Sequence, residues 1–188
     1  MKYIIEHLEP RLYMWCLIEY RHISKIVGKE NLIFTNIKTA KQRKKLYGLG
    51  KVYRENVKVL AEITFKRVCL LDAGQKKTLS PNDRFDFLVF GGILGDDPPK
   101  KRTMQELGSL KIPRRNIGNK QMPTDNAVYT AKKIMSGTPI DKIKFIDGIE
   151  IKLLEGESVI FPFRYVMADG KPLVSSELIQ YLKRKKGF

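Results

Sequence analysis

Phe85-Asp-Phe-Leu-Val-Phe90, followed by Gly91-Gly-Ile-Leu-Gly-Asp-Asp-Pro-Pro99, is an apolar run that ends in a glycine pair. A run of Phe, Leu and Val bounded in this way reads as a buried strand. The loop after a parallel strand is where open α/β sheets bind ligands. Its glycines let backbone amides approach a ligand closely, and its two prolines stiffen the exit. The spacing is neither G-x-G-x-x-G nor G-x-x-x-x-G-K-[ST], and no lysine follows the third glycine to meet a phosphate. A dinucleotide or triphosphate is therefore disfavoured, and on chemistry alone the turn reads as structural at least as readily as functional.

Outward from that strand, β-branched and aromatic runs alternate with amphipathic stretches. Strands are expected at Lys2 to Glu6, Asn31 to Phe34, Arg67 to Leu71, Phe85 to Phe90, Lys111 to Arg114 and Lys144 to Asp147. Helices are expected at Pro10 to Val27, Lys101 to Leu107, Thr124 to Met135 and Ser175 to Lys186, each with a cap or breaker near an end. Such interleaving predicts the α/β class, with a mostly parallel sheet flanked by helices. Residues 38 to 60 resist assignment, because Lys and Arg mask any period. At 188 residues and 43% hydrophobic composition, one domain spanning 1 to 188 is the expectation.

Charge is the second constraint. The formal net charge is +16, a potential that draws polyanions and makes nucleic acid or the ribosome the natural partner class. Residues 38 to 77 hold twelve Lys or Arg against Glu55, Glu62 and Asp72, and Lys183 to Lys186 form a second cluster. Tyr47, Tyr53 and Phe65 are the aromatics of the first block. Neither a signal peptide nor a membrane helix fits the apolar runs. Cys16 and Cys69 lack CxxC spacing and read as reduced core thiols of a cytoplasmic protein, and no metal is expected.

Two further loops resemble ligand walls. Ile117-Gly-Asn-Lys-Gln-Met-Pro-Thr124 mixes glycine, amide and thioether groups that could contact a nucleoside, and Phe145-Ile-Asp-Gly-Ile-Glu150 repeats the strand-then-turn style. The first helix carries an anomaly: Leu12, Trp15, Cys16, Ile23, Ile26 and Val27 make one apolar stripe, and Glu19 falls in its middle. A carboxylate there is paired, protonated or at a site. A surface pairing of Glu19 with Arg11, Arg21 or Lys25 is the plainer reading, and a pocket that receives a cation is the functional one. His7 and His22 read as structural or surface residues, although His7 beside Glu6 could line a site.

In this order, these segments resemble the SPOUT-type protein-arginine methyltransferases and their archaeal relatives, whose known substrate is a small-subunit ribosomal protein. The stretches that carry the resemblance are MKYIIEHLE with Trp15 and Glu19-Tyr20, RVCLLD at 67 to 72, FDFLVFGGILGDDPP at 85 to 99, IGNKQMPTD at 117 to 125, IKFIDGIE at 143 to 150 and PFRYV at 162 to 166. The resemblance implies a SPOUT α/β-knot methyltransferase whose C-terminal half is threaded as a trefoil knot, with S-adenosylmethionine in a pocket made by the knot loops. It places that cofactor against Gly91, Gly92, Ile93, Leu94 and Gly95, then Ile117, Gly118, Lys120, Gln121 and Met122, and the turn of Phe145, Ile146 and Asp147. Two positions depart from the family pattern, Asp97 where His is common and Asn119 where Asp is common, and both bear on substrate selectivity.

Methyl transfer from a sulfonium is an in-line displacement, so the protein must align the nucleophile and exclude water. An arginine acceptor is cationic and has to be oriented and relieved of a proton by carboxylates. Glu6, Glu9, Glu19 and Asp96 are the candidates for that acidic lining. RNA methylation, of rRNA or tRNA, is the alternative within enzymes, because the basic block could track a phosphate backbone. A non-catalytic RNA-binding or ribosome-assembly protein is the alternative from another class. A monomer and a homodimer are both compatible with the family.

Overall fold

A computed structural model describes residues 1–63, 66–95, 98, 102–153 and 157–184. Six strands form a parallel sheet: β1 (Lys2–His7), β2 (Leu32–Thr35), β3 (Lys51–Val52), β4 (Val68–Leu71), β5 (Phe87–Gly92) and β6 (Arg114–Arg115), in the order β3-β2-β1-β5-β4-β6. Every pairing in it is parallel, β1 lying between β2 and β5 with Glu6 opposite Thr35 and Gly91. The helices are α1 (Met14–Val27), α2 (Ala40–Leu46), α3 (Val57–Ile63), α4 (Arg102–Leu107), α5 (Thr124–Met135) and α6 (Ser176–Arg184). The period of two along β1 decides which helix each side chain meets. Tyr3 and Ile5 point into the cluster built by Leu17, Tyr20 and Ile23 of α1 and Val128, Ala131 and Ile134 of α5. Ile4 points the other way, to Val57 and Leu60 of α3 and Leu107 of α4. Both faces of the sheet are thus covered, which is why β4 and the centre of β5 are continuously apolar.

A second, antiparallel sheet follows: β7 (Phe145–Lys152), β8 (Ser158–Ala168) and β9 (Lys171–Pro172). Ile18 of α1, only 1% exposed, joins Ile149, Ile151, Phe161, Tyr165, Leu178 and Leu182 in a third cluster. One helix therefore serves both sheets, with Tyr20 and Ile23 toward the first and Ile18 toward the second.

Several boundaries differ from the sequence expectation. α1 starts at Met14 rather than Pro10, and the expected strand from Lys111 is reduced to Arg114–Arg115. The basic stretch contains two short helices, α2 and α3, and the eleven-residue β8, which contains the PFRYV stretch at 162 to 166, is an element that was not among the expected strands. Thr39 opens α2 with a capping box closed by Gln42, a signature in plain view inside the lysine run. Among the described residues, no helix is long and apolar enough to cross a membrane, and no cluster of His, Cys, Asp or Glu could hold a metal ion. Cys16 and Cys69 are buried free thiols, and burial pushes each up to about 12.

Candidate active site

The ends of β5, β4 and β6 open onto a cavity of about 290 Å³. Gly91, Ile93, Leu94 and Gly95 form one wall, Leu71 to Gly74 a second, and Ile117 to Met122 a third. Two networks fix these loops. The Asp72 carboxylate accepts from the Gly74 amide (3.0 Å) and the Gln75 side chain (2.8 Å), and Asn116 accepts from the Gly118 amide (3.0 Å) while donating to the Gln75 carbonyl (2.8 Å). On the far side, Asp147 accepts from Lys120 (2.7 Å) and from Arg164 (2.7 and 3.1 Å). Those hydrogen bonds, Arg164 first and Lys120 next, hold its carboxyl well below the usual carboxylate range.

Backbone approach is close at Gly95, where a Cβ would lie 2.5 Å from the Gln121 amide nitrogen and 2.6 Å from the Phe163 ring. No larger residue fits without moving both walls. The lining mixes apolar surface (Phe90, Ile93, Leu94, Ile117, Met122) with an acceptor, Asp72, and the cations Arg102 and Lys120. That donor set suits a nucleoside with a zwitterionic tail: Asp72 can accept from hydroxyl or amino groups, Arg102 can donate to a carboxylate, and the apolar faces can enclose a base. The residues fit S-adenosylmethionine.

Beyond Leu94 and Gly95, which border both, lies a second pocket of about 310 Å³. Trp15, Phe161, Phe163 and Tyr165 form its aromatic sides, and Glu19 and Asp125 are its carboxylates. Both are buried, at 6% and 3% exposure. Burial first, then the nearby Asp125, pushes Glu19 up to about 8, partly offset by hydrogen bonds from Trp15 (3.1 Å) and Thr124. Asp125 sits in the first turn of α5, where the helix dipole favours negative charge. It accepts from His22 Nδ1 at 2.7 Å and from the Asn126 backbone (2.7 Å) and side-chain (3.0 Å) nitrogens. Asn126 in turn accepts from the Val166 amide (2.9 Å) and donates to the Leu173 carbonyl (3.0 Å), locking the start of α5 onto β8. Two fixed carboxylates between aromatic walls are what a guanidinium requires.

The expected site residues divide accordingly. Glu19, Leu94 and Gly95 line the second pocket, and Gly91, Ile93, Leu94, Gly95, Ile117, Gly118, Lys120, Gln121 and Met122 line the first. Gly92 is placed elsewhere, its Cα packed against Ile5 and the Tyr20 hydroxyl. Phe145, Ile146 and Asp147 stand behind the cavity wall, where Asp147 holds Lys120 and Arg164 stacks 5.3 Å over Phe145. Glu6 shares the α3 side of β1 with Ile4, because alternation turns it away from Glu19. There it accepts from the Thr35 hydroxyl and from the Val57 amide (2.9 Å) at the start of α3, and burial raises its pKa. Glu9 braces the glycine loop, accepting from the Leu94 amide (3.0 Å) and Arg102 (2.8 Å). Asp96 and Asp97 lie outside the described residues.

Sequence reasoning missed Asp125 and the ring wall of β8. The first was visible as an acid in the opening turn of a helix after a ligand-type loop, and the second as a β-branched and aromatic run from Val159 to Val166 interrupted by Pro162, although nothing local says which pocket its rings enclose. His22 bears on the site through Asp125, whereas His7 lines neither pocket: it is buried, with its Nδ1 2.9 Å from the hydroxyl of the core residue Tyr20.

The chain as a whole is similar to known proteins. The family model described as "Protein arginine N-methyltransferase SFM1-like" matches residues 2–187. Protein arginine N-methyltransferase SFM1 of Saccharomyces cerevisiae is 38% identical over an alignment covering 98% of this chain and 95% of the relative. The crystal structure of that yeast enzyme complexed with S-adenosylmethionine superposes with a TM-score of 0.87, at 36% identity over 98% of this chain and 90% of the other. A more distant likeness, to a dual-specific Trm10 of Thermococcus kodakaraensis, has a TM-score of 0.55 at 19% identity over 76% of this chain and 96% of the other, and speaks to the fold alone. The fold is that of the SPOUT-type methyltransferases, and the chain, matched from end to end in both sequence and backbone, belongs to the SFM1-like protein arginine N-methyltransferase family.

Proposed function

We propose that the protein methylates a guanidinium nitrogen of an arginine in a small-subunit ribosomal protein, in the cytoplasm, with S-adenosylmethionine as methyl donor. The observation that carries the acceptor is the Glu19–Asp125 pair, buried in an aromatic-walled pocket that meets the cofactor cavity at Leu94 and Gly95. Asp125, together with Glu19 once it is ionised, makes the pocket an acidic exception inside a +16 protein and favours a cation, whereas a neutral nucleobase gains nothing from that charge. The ribosomal acceptor rests on the resemblance and on the positive surface, which suits a target embedded in RNA. The same reading includes the knotted threading, which would press the 91–95 and 117–122 loops together.

Bound S-adenosylmethionine supplies a sulfonium methyl open to in-line displacement. Asp125, already holding three donors, anchors the guanidinium charge. Glu19 accepts the one proton that the guanidinium loses, and its raised pKa suits it to that task near neutral pH. Trp15, Phe161 and Phe163 exclude water and hold the plane of the group.

The test uses methyl-labelled S-adenosylmethionine with unmodified small ribosomal subunits, digested separately with protease and ribonuclease. Label released only by protease, on an arginine by mass spectrometry, is expected. Label released only by ribonuclease would make the protein an RNA methyltransferase instead.

A further inference from the structure

Residues 38 to 58 hold eight Lys or Arg against one carboxylate, Glu55. The fold gives that excess a shape. Lys41, Lys44 and Lys45 are three and four apart on α2, so they share one exposed face, while Leu46 is fully buried beneath. Tyr47 follows at once and is 89% exposed, the most exposed large hydrophobic side chain among the described residues. Lys51 is exposed on β3, the edge strand beyond it. The turn is held in place by the Ser24 hydroxyl, which donates to the Leu49 carbonyl at 2.7 Å. Arg43 is spent on the backbone, donating to the Ile37 and Lys38 carbonyls at 2.9 Å.

These lysines differ from other cations of the molecule. Arg21, Arg67, Arg102, Arg115 and Lys120 each meet a carboxylate. Among the described residues, no ion pair involves Lys41, Lys44, Lys45 or Lys51. Like charges three and four apart destabilise a helix, and one of seven residues has little stability to lose. Guarding an edge strand would account for Lys51. It would not account for the α2 lysines, and a guarded edge would not display an aromatic ring.

We propose that α2, Tyr47 and Lys51 form an RNA-docking surface, with the lysines on phosphates and the Tyr47 ring stacked on an unpaired base. Lysines supply sequence-independent attraction, and an exposed ring beside them is the stacking element that single-stranded RNA uses. The sheet order sets the surface three strands from β5, about 14 Å at the usual strand spacing. RNA held there leaves both pockets open, so the enzyme can grip a ribonucleoprotein by its RNA while a protein side chain enters the Glu19 pocket.

The experiment is anisotropy titration of a labelled single-stranded 20-nucleotide RNA of mixed sequence, at several salt concentrations, with thermal melts as the fold control. Lys41→Glu/Lys44→Glu/Lys45→Glu is expected to weaken binding about tenfold or more and to lower the slope of log K against log salt by about 2. The milder triple change to Gln should act in the same direction and covers a failure of the first to fold. Tyr47→Ala should weaken binding severalfold with the slope unchanged, and reversal of exposed Lys142, Lys144 and Lys171 should leave affinity within about twofold. Equal loss from that distant reversal would show diffuse attraction and overturn the proposal. So would a silent Tyr47→Ala, or equally strong competition from poly-glutamate or anionic lipid vesicles, which would assign the surface to a protein or a membrane. Because the readout is binding, it stands apart from the identity of the methyl acceptor.

Discussion

Glu19 occupies an awkward position: a carboxylate on the apolar stripe of α1, walled in by rings, with a second carboxylate beside it. Glu19→Gln keeps the shape and removes the proton acceptor, so kcat should fall about 100-fold or more while the Kd for S-adenosylmethionine, measured by calorimetry, stays nearly unchanged. Asp125→Asn should instead act mainly through the KM for the acceptor. Since the acceptor pocket works with Glu19 ionised, kcat/KM should climb about tenfold per pH unit below about pH 8 and level off above it. A flat profile across that range would remove Glu19 from the proton step. Stability carries the opposite sign. A folded-state pKa raised above the ordinary carboxylate value makes ionisation of Glu19 oppose folding, increasingly so from about pH 5 to about pH 8. The Tm advantage of Glu19→Gln over the parent should grow through that window and then stay constant.

At the scale of elements, the site is a set of loops held by ties that run between strands. Gly95 touches Gln121 of one loop and Phe163 of β8, so Gly95→Ala pushes on the cofactor wall and the acceptor wall together. Loss of cofactor affinity and of acceptor turnover in the same variant is expected, by calorimetry and initial rates; a change in one alone would separate the walls. Asp147 joins the loop of Lys120 to Arg164 on β8, but its ion pairs are largely exposed. Such pairs contribute under about 1 kcal/mol, so Asp147→Asn should weaken S-adenosylmethionine binding no more than about fivefold.

For the molecule as a whole, α1 is the member that unites two sheets. Ile18 packs with Ile149, Ile151 and Phe161, while Tyr20 and Ile23 pack on the parallel sheet, and Glu19 stands between them. Ile18→Ala should cost about 2–4 kcal/mol in denaturant unfolding, since the cavity lies between well-packed elements. By letting the second sheet shift against α1 it should also raise the acceptor KM more than the cofactor Kd, because Phe161, Phe163 and Tyr165 wall the acceptor pocket.

The sequence by itself determined the parallel sheet, the glycine and Ile117–Met122 loops, and the anomaly at Glu19, because each is written in local order: an apolar run before glycines, a loop before a helix, an acid on an apolar stripe. Residue spacing also contained the α2 capping box and the acid that opens α5, though lysines obscured the first. Only the tertiary structure decided that Glu6 faces α3, that Glu9 braces the glycine loop and that Asp125 joins Glu19. Which face of a strand meets which helix, and which rings from residues 161 to 165 close over a helix near the start of the chain, are facts of three-dimensional packing. Contacts between residues more than a hundred positions apart leave no period in the sequence to read.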